Sequence, residues 1–264
     1  MQRVWPALLC FGLIAFAQIG CGTSPPQDSS GGDWVLVWED TFAGPELNLS
    51  EWRIAEQGLN YNNEDQAYVK EQVAVDSAGN LVLTCAKKYW RGPTGRTDVP
   101  GDIERDYVSG EVNTIRSWTY GRFEVRAMIP PRNQGVLSAI WMTPADNGWP
   151  PEIDIMEILG HDPATVYFTN HYGTVANHRM NNGNYRSSDF SADYHIYSVE
   201  WKPGVIRWYV DGVQRFMSTS GVPSEPFILR LSLPVGPDWE GNPDRTSIFP
   251  QDFKVDWVRV YQKQ

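Results

Sequence analysis

Three carboxylates lie close together in one short segment of the chain, at Glu152, Asp154 and Glu157. Residues two apart in a β-strand point to the same face of a sheet, so Glu152 and Asp154 are expected to be neighbours there. Glu157 is three positions beyond Asp154 and would point to the opposite face of a regular strand. One extra residue near Ile155 and Met156 would return it to the first face, and such β-bulges are common beside active sites. The spacing therefore predicts a bulged strand with three acids on one face.

Acids placed in this way suit a particular kind of chemistry. Their Cα atoms would span on the order of 13 Å after the bulge, and inward-leaning Glu side chains would bring two carboxyl groups to roughly 5–6 Å, the separation that suits retaining cleavage of a glycosidic bond. Crowding like charges destabilises a sheet face and raises the pKa of at least one acid. The alternative is an acidic edge strand that faces solvent. The apolar residues between the acids favour a central strand instead.

The composition limits the class of protein. The chain has 264 residues, a hydrophobic content of 41%, 12 Trp and a formal net charge of −10. The negative charge argues against a nucleic-acid partner, and we expect a monomer. So many Trp suit stacking on sugars, although core packing is the alternative for most of them.

The N-terminal segment predicts export. Arg3 precedes an apolar run at 7–17 that is too short to span a membrane comfortably, so residues 1–20 are predicted to be a signal peptide. The run Gln18-Ile19-Gly20-Cys21 resembles a bacterial lipoprotein cleavage site, with lipidation of Cys21 predicted and ordinary cleavage nearby as the alternative. Residues 21–32, rich in Ser, Pro and Gly, would form a flexible tether. We therefore expect an outer-membrane or cell-surface lipoprotein, or a periplasmic or secreted protein, that contacts a membrane only through this anchor.

A disulfide framework is excluded by the cysteine count. Cys10 and Cys21 fall in the export segment, which leaves Cys85 alone in an apolar run. Cys85 is expected to be a small buried hydrophobic residue.

The remaining residues, 33–264, predict one all-β domain. Many short runs alternate apolar and polar residues, as at 122–128 and 254–260, and Asp211-Gly212 is a hairpin turn signal. No long stretch has a helical period. Many short strands without helices favour an antiparallel β-sandwich or jelly roll. Residues 91–105 and 177–189 are predicted to be polar surface loops.

Several segments resemble glycoside hydrolase family 16. The acid run matches the E-x-D-x-x-E signature of that family, and other matching segments follow in the expected order, at 37–42, 62–64, 120–127, 139–142, 171–173, 208–212 and 255–261. The resemblance implies a concanavalin A-like jelly roll with a concave glycan-binding cleft. It also implies that Glu152 is the nucleophile, Asp154 its helper and Glu157 the acid/base of a retaining mechanism.

Five residues near the acids are candidates for substrate binding. Trp149 and Trp141 flank the acids and are expected to stack on sugar rings, with core packing as the alternative for Trp141. Asn63 and Glu64 match a substrate-loop motif, with loop capping as the alternative. His171 is expected on the neighbouring strand near Glu157, where it would tune the acid/base or contact the sugar; a structural His is the alternative.

The resemblance implies no cofactor for catalysis but a structural Ca²⁺. The matching positions are the carbonyls of Thr41 and Gly79 and the carboxylate of Asp256, which are oxygen ligands of the kind that Ca²⁺ prefers. The alternative is a salt bridge between Asp256 and a nearby Arg or Lys.

The polysaccharide is the least determined part of the prediction. The longer acid motif is more similar to that of laminarinase-type members, which implies endo-cleavage of β-1,3- or mixed β-1,3/1,4-glucan. Agarases, carrageenases and exopolysaccharide depolymerases share the motif, and Glu111 departs from the laminarinase pattern. Two alternatives from other classes are a lectin-like glycan-binding module, which would not need the acids, and a lipid-anchored structural protein.

Overall fold

The computed structural model describes residues 34–60 and 62–264. The predicted signal peptide, the tether and Cys21 lie outside the described residues. The described part contains seventeen strands and one 3₁₀ helix, Lys70–Gln72, which falls between β3 and β4. No helix in this part of the chain is long and apolar enough to cross a membrane. The strands are β1 Trp34–Asp40, β2 Trp52–Ile54, β3 Gln66–Tyr68, β4 Val73–Val75, β5 Leu81–Pro93, β6 Asp102–Ser109, β7 Glu111–Thr114, β8 Gly121–Met128, β9 Leu137–Pro144, β10 Glu152–Leu159, β11 Thr165–Thr174, β12 Asn177–Arg186, β13 His195–Lys202, β14 Val205–Val210, β15 Val213–Ser218, β16 Phe227–Ser232 and β17 Gln251–Lys263.

The strands form two sheets. One has ten strands in the order β15-β14-β13-β8-β17-β5-β6-β3, with β1 on β17 and β4 on β5; we call it the outer sheet. The other has seven strands in the order β12-β11-β10-β9-β16-β7-β2; we call it the site sheet. Most pairs are antiparallel, whereas β3 and β6 are parallel. The predicted all-β jelly roll is confirmed.

The core lies between the two sheets and follows the alternation in the sequence. Side chains from both sheets form one buried cluster, including Phe123 and Val125 of β8, Ile140 of β9 and Trp208 of β14. Burying an apolar side chain of this size contributes about 1.5–3 kcal/mol, so the sandwich rests chiefly on these contacts. Cys85 is buried in the same cluster, as predicted, and burial raises the pKa of its thiol to about 12.

Strand β10 contains the predicted bulge. On one side Asp154 lies opposite Thr169 of β11 while Glu157 lies opposite Tyr167, so three steps along β10 match two along β11. Ile155 and Met156 are both fully buried, which shows that the extra residue turns two consecutive side chains into the core. The acids on either side therefore share the other face, as the spacing predicted.

The outer sheet contacts this bulge from behind. The indole N–H of Trp208 donates a hydrogen bond of 2.8 Å to the backbone carbonyl of Asp154. A buried carbonyl without a partner would be costly, and a bulge disrupts the regular ladder that normally supplies one. The side chain of a core Trp thus stabilises the backbone between two of the acids.

Two predicted loops are wrong. Within residues 91–105 the chain continues β5 to Pro93 and begins β6 at Asp102, so only the tip of this long hairpin is irregular. Most of 177–189 forms β12, which pairs along its whole length with β11 at the edge of the site sheet. One face of this edge strand is half-buried, but its residues there are Asn181, Gly183 and Tyr185, so the sequence shows no apolar alternation.

Candidate active site

The site sheet presents a continuous row of polar and aromatic side chains on the face of the acids. Residues directly opposite each other in a ladder share a face, so the register defines this surface. The row through Asp154 contains Asn113, Arg230, Trp141, Asp154, Thr169 and Asn182. The row through Glu157 contains Glu111, Ser232, Ala139, Glu157, Tyr167 and Asn184. The acids therefore lie on an inner strand of the sheet, with four strands on one side and two on the other.

The three acids lie close together, with Asp154 buried and Glu152 and Glu157 half-buried. Asp154 is only 2% exposed. Burial raises the pKa of Glu152, Asp154 and Glu157 above their usual range, and the negative charges of its neighbours raise the pKa of Glu157 further. A side-chain hydrogen bond joins Glu152 to Asp154. These groups therefore hold protons at a higher pH than free carboxyls, and one of those protons is shared between Glu152 and Asp154.

His171 lies beside Glu152 and Asp154, so its predicted position near Glu157 is wrong. Its Nε2 atom is 3.2 Å from Asp154 Oδ2 and 3.7 Å from Glu152 Oε1. The antiparallel register explains this, because it pairs Glu152 with His171 and leaves Tyr167 opposite Glu157. Burial lowers the pKa of His171, and the charge of Glu152 opposes that shift.

One atom from each of Glu152, Asp154 and His171 lies within 4.8 Å of the other two. Such a set would also suit a divalent cation. The hydrogen bond between Glu152 and Asp154 and the ion-pair contacts of His171 with both acids account for their placement without one, and we assign the cluster to proton sharing.

Trp149 stands at the Glu152 end of this surface. Its side chain is 45% exposed, which is high for an indole and leaves a face open to a ligand. It also hydrogen-bonds to Glu152, which lowers the pKa of that acid against the effect of burial. On the side toward β12 its ring centroid is 4.9 Å from that of His178. Trp149 therefore presents an exposed ring beside Glu152 and helps to orient that acid.

Trp141 lies directly opposite Asp154 on β9 and points to the same face. Its indole N–H donates to Ser232 Oγ at 3.1 Å. The guanidinium carbon of Arg230 is 5.0 Å from its ring centroid, a cation–π contact. Trp141 is therefore not a core residue, because its ring lies on the face of the site sheet that carries the acids.

Arg230 and Glu111 form an ion pair that was not predicted as part of the site. Arg230 Nη1 lies 3.3 Å from Glu111 Oε1, and both side chains are largely buried. Further hydrogen bonds of 2.8 Å run from Arg230 to Thr143 Oγ1 and to Asn147 Oδ1. A signal was present in the sequence: Arg230 and Ser232 occupy alternate positions of the apolar run 227–233. An acid at position 111, which departs from the laminarinase pattern, therefore has a physical reason: its carboxylate neutralises Arg230.

Glu64 belongs to the same polar cluster. Gln66 Nε2 donates to its carboxylate at 2.6 Å and the Tyr68 hydroxyl at 3.3 Å. Burial raises the pKa of Glu64 to about 8, and the charge of Glu111 adds to that shift. Tyr68 also hydrogen-bonds to Ser232, the partner of Trp141. Glu64 is thereby connected to the row of Asp154.

Asn63 is placed differently from Glu64. Its side-chain amide donates to both carboxylate oxygens of Asp238 at 3.0 and 3.1 Å, which joins two loops. The next residue, Trp239, packs edge-on against Tyr167 with ring centroids 4.7 Å apart, and Tyr167 lies opposite Glu157. The loop contact foreseen as the alternative for Asn63 is therefore present, and it positions an exposed Trp near Glu157.

Asp256 pairs with an Arg, as the alternative to a calcium site foresaw. Arg126 Nη1 lies 2.5 Å from its Oδ2 atom. The backbone of Gly79 lies near that of Phe42, the residue after Thr41. A Cβ added to Gly79 would be 3.7 Å from the Phe42 carbonyl oxygen. A guanidinium beside the carboxylate disfavours a second cation there. As placed, Asp256 does not fit a calcium ion.

Comparison with known proteins identifies the family. The family model described as glycosyl hydrolases family 16 matches residues 60–259, well over half of the chain. The chain belongs to glycoside hydrolase family 16. The acid run, its bulge and the two sheets are thus those of a family 16 hydrolase.

Relatives within the family are named for glucan cleavage. The chain is 33% identical to the glucan endo-1,3-beta-glucosidase A1 of Niallia circulans over 93% of its own length, but it spans only 40% of that protein. It is 31% identical to the beta-glucanase of Rhodothermus marinus over 92% of this chain and 91% of that one. A solved structure, the catalytic domain of an endo-1,3-beta-glucanase (laminarinase) from Thermotoga petrophila RKU-1, is 32% identical with a TM-score of 0.77, covering 89% of this chain and all of that one.

Proposed function

We propose that this family 16 hydrolase cleaves β-1,3- or mixed β-1,3/1,4-glucan within the chain and with net retention. The principal support is the bulge of β10, which places three acids, one buried and two half-buried, on one face of the site sheet. The names of the relatives, which describe β-1,3-glucan and β-glucan cleavage, support the choice of substrate.

The first step of the mechanism uses Glu152 and Glu157 together. Glu152, ionised, attacks the anomeric carbon, and the glycosidic C–O bond breaks as Glu157 gives its proton to the leaving oxygen. The raised pKa of Glu157 keeps that proton available near neutral pH. The product of this step is a covalent glycosyl-enzyme with the leaving chain released.

In the second step Glu157 acts as the base and Glu152 is the leaving group. Glu157, now ionised, takes a proton from water, which attacks the anomeric carbon and releases Glu152. In the free enzyme Asp154 hydrogen-bonds to Glu152 and shares a proton with it, so it adjusts the charge on the nucleophile. The reaction uses carboxyl groups and water alone, so no cofactor takes part in it.

The surface around the acids supports a neutral, extended glycan as substrate. Trp149 and Trp141 offer apolar faces on either side of Asp154, and apolar sugar faces pack well on indole rings. The guanidinium on Trp141 is already neutralised by Glu111, and three acids face the same surface. An anionic polysaccharide would meet repulsion from these acids, which favours an uncharged glucan over carrageenan.

A product profile tests the proposal. We expect oligosaccharides of several lengths from laminarin or lichenan early in the reaction, because internal cleavage does not proceed from a chain end. We also expect NMR to show the β-anomer first, because two displacements restore the starting configuration. Release from agarose or carrageenan alone would reassign the substrate. An initial α-product would contradict the double displacement.

We also propose that the protein is exported and lipidated at Cys21. The apolar run at 7–17, the sequence Gln18-Ile19-Gly20-Cys21 and the tether-like residues that follow support this. Incorporation of a labelled fatty acid by the full chain, and its loss in Cys21→Ser, is the expected result. A labelled Cys21→Ser protein would show that Cys21 is not the anchor.

Calcium at Thr41, Gly79 and Asp256 stays a prediction. Its binding requires Arg126 to release Asp256. The monomeric state also stays a prediction.

A further inference from the structure

We propose that His178 is a positioning residue for the catalytic acids. It donates a hydrogen bond to His171 and thereby keeps the ring proton of His171 on Nε2, where it faces Asp154 and Glu152. This inference rests on the proposed roles of the two acids, and it concerns a residue that stands outside the acid motif on the edge strand β12.

The two histidines are in direct contact. His171 Nδ1 and His178 Nε2 are 2.9 Å apart, a hydrogen-bond distance. Their rings are nearly parallel, with an angle of 20° between the planes. The other ring nitrogen of His171, Nε2, is the atom that lies 3.2 Å from Asp154 Oδ2. His171 therefore stands between a solvent-exposed His and a buried acid.

One arrangement of protons suits these contacts when Oδ2 of Asp154 is unprotonated. A neutral imidazole has one N–H, and burial lowers the pKa of His171, which favours the neutral form. Nε2 faces two carboxyl oxygens, so the proton belongs there and Nδ1 must accept a hydrogen bond. The atom facing Nδ1 is His178 Nε2. His178 must accordingly donate from Nε2 and have its own Nδ1 unprotonated when it is neutral.

The position of His178 is itself fixed by packing. It pairs with Gly173 of β11, so no side chain from that position separates its ring from that of His171. Its other neighbour is the ring of Trp149, 4.9 Å away. The ionisable groups facing the pair are Glu152 and Asp154 on β10, whereas the adjacent residue of β12 on this face is the uncharged Met180.

The tautomer matters because of what it does to Asp154. An N–H on Nε2, which lies 3.2 Å from Oδ2, stabilises the charged form of Asp154 and leaves its other oxygen for the proton shared with Glu152. Oδ2 is buried and has no hydrogen bond to any described residue, so this nearby proton is the one that can stabilise its charge. The opposite tautomer would direct a lone pair of Nε2 at Oδ2, at the same short distance. Asp154 would then have to be protonated on Oδ2, and its hydrogen bond to Glu152 would change.

Three variants of the full chain test this. His178→Phe keeps a ring against Trp149 but cannot donate, His178→Gln keeps a donor, and Arg179→Gln changes an exposed neighbour on the other face of β12 as the matched control. We expect His178→Phe to lower kcat on the order of tenfold with little change in KM. We expect its acidic pH limb to move to higher pH, because the charged form of Asp154 loses a donor. His178→Gln is expected to restore most of the rate and the profile.

Nitrogen-15 NMR of the histidine rings gives a readout that does not depend on turnover. We expect His171 to have its proton on Nε2 in the wild-type protein and to show a mixture of tautomers in His178→Phe. A proton on Nδ1 in the wild type would overturn the proposal, and so would an unchanged tautomer and pH profile in His178→Phe. If the wild type cleaves no glucan, the proposed function fails, yet the NMR result still decides the role of His178.

Discussion

Replacing Glu152 with Gln should abolish glucan cleavage, with a fall in kcat on the order of 10⁴- to 10⁶-fold. The amide has the shape of the carboxylate but cannot attack the anomeric carbon. Reducing-end release from laminarin measures the loss. In Glu152→Ala, added azide should take the place of the missing carboxylate on an activated aryl glycoside and give an α-glycosyl azide, because only one displacement then occurs.

The fold of Glu152→Gln should be intact, and a melting curve checks this. Burial raises the pKa of Glu152, so its neutral form is favoured by the fold. Its contribution to stability is complete below the unfolded pKa and is lost as the pH rises through the folded pKa. At neutral to alkaline pH, removing this titration should leave the melting temperature unchanged or higher. Glu71→Gln, which changes an exposed acid, is the matched control. Wild-type activity in Glu152→Gln would show that Glu152 is not the nucleophile.

Replacing Glu157 with Gln should separate the two halves of the reaction. Cleavage of laminarin should fall about 10²- to 10⁴-fold, because the poor leaving group needs a proton. An aryl glycoside with an acidic leaving group needs none, so its first step should remain fast and a glycosyl-enzyme should accumulate as a burst of released phenol. Stopped-flow absorbance measures that burst.

The pH profile adds a second criterion for Glu157. In the wild type it must be protonated for the first step, so activity is lost as the pH rises through its raised pKa. Glu157→Gln should therefore lose the alkaline limb on the activated substrate and retain the acidic limb that belongs to Glu152 and Asp154. An unchanged alkaline limb would assign the acid to another residue.

The sequence was informative where local periodicity determines structure. Counting positions from Asp154 to Glu157 was enough to predict the bulge, because a strand has a fixed period of two and three acids on one face need an extra residue. Alternation likewise indicated the strands whose one face is buried, which is why the two-sheet fold was predictable.

Register and edge strands could not be predicted in this way. His171 was expected near Glu157, but its partner on β10 depends on the pairing of two strands joined by a turn, which no single-strand pattern determines. Strand β12 has no apolar face, so its ten residues resembled a loop, and the contact of His178 with His171 was hidden with it. The Glu111–Arg230 pair joins residues 119 apart in sequence, and each appeared only as an isolated charge.

The hydrogen bond from Trp208 to the Asp154 carbonyl has a consequence for anyone who would transplant this motif. The backbone of the six residues from Glu152 to Glu157 is supported from outside its own sheet. A partner on a different sheet, 54 residues away, holds the backbone at the bulge. Grafted onto another strand without an equivalent indole, the same six residues are expected to form a regular ladder more readily, with one acid turned into the core. A transplant of this chemistry therefore needs both strands, β10 with its acids and β14 with Trp208.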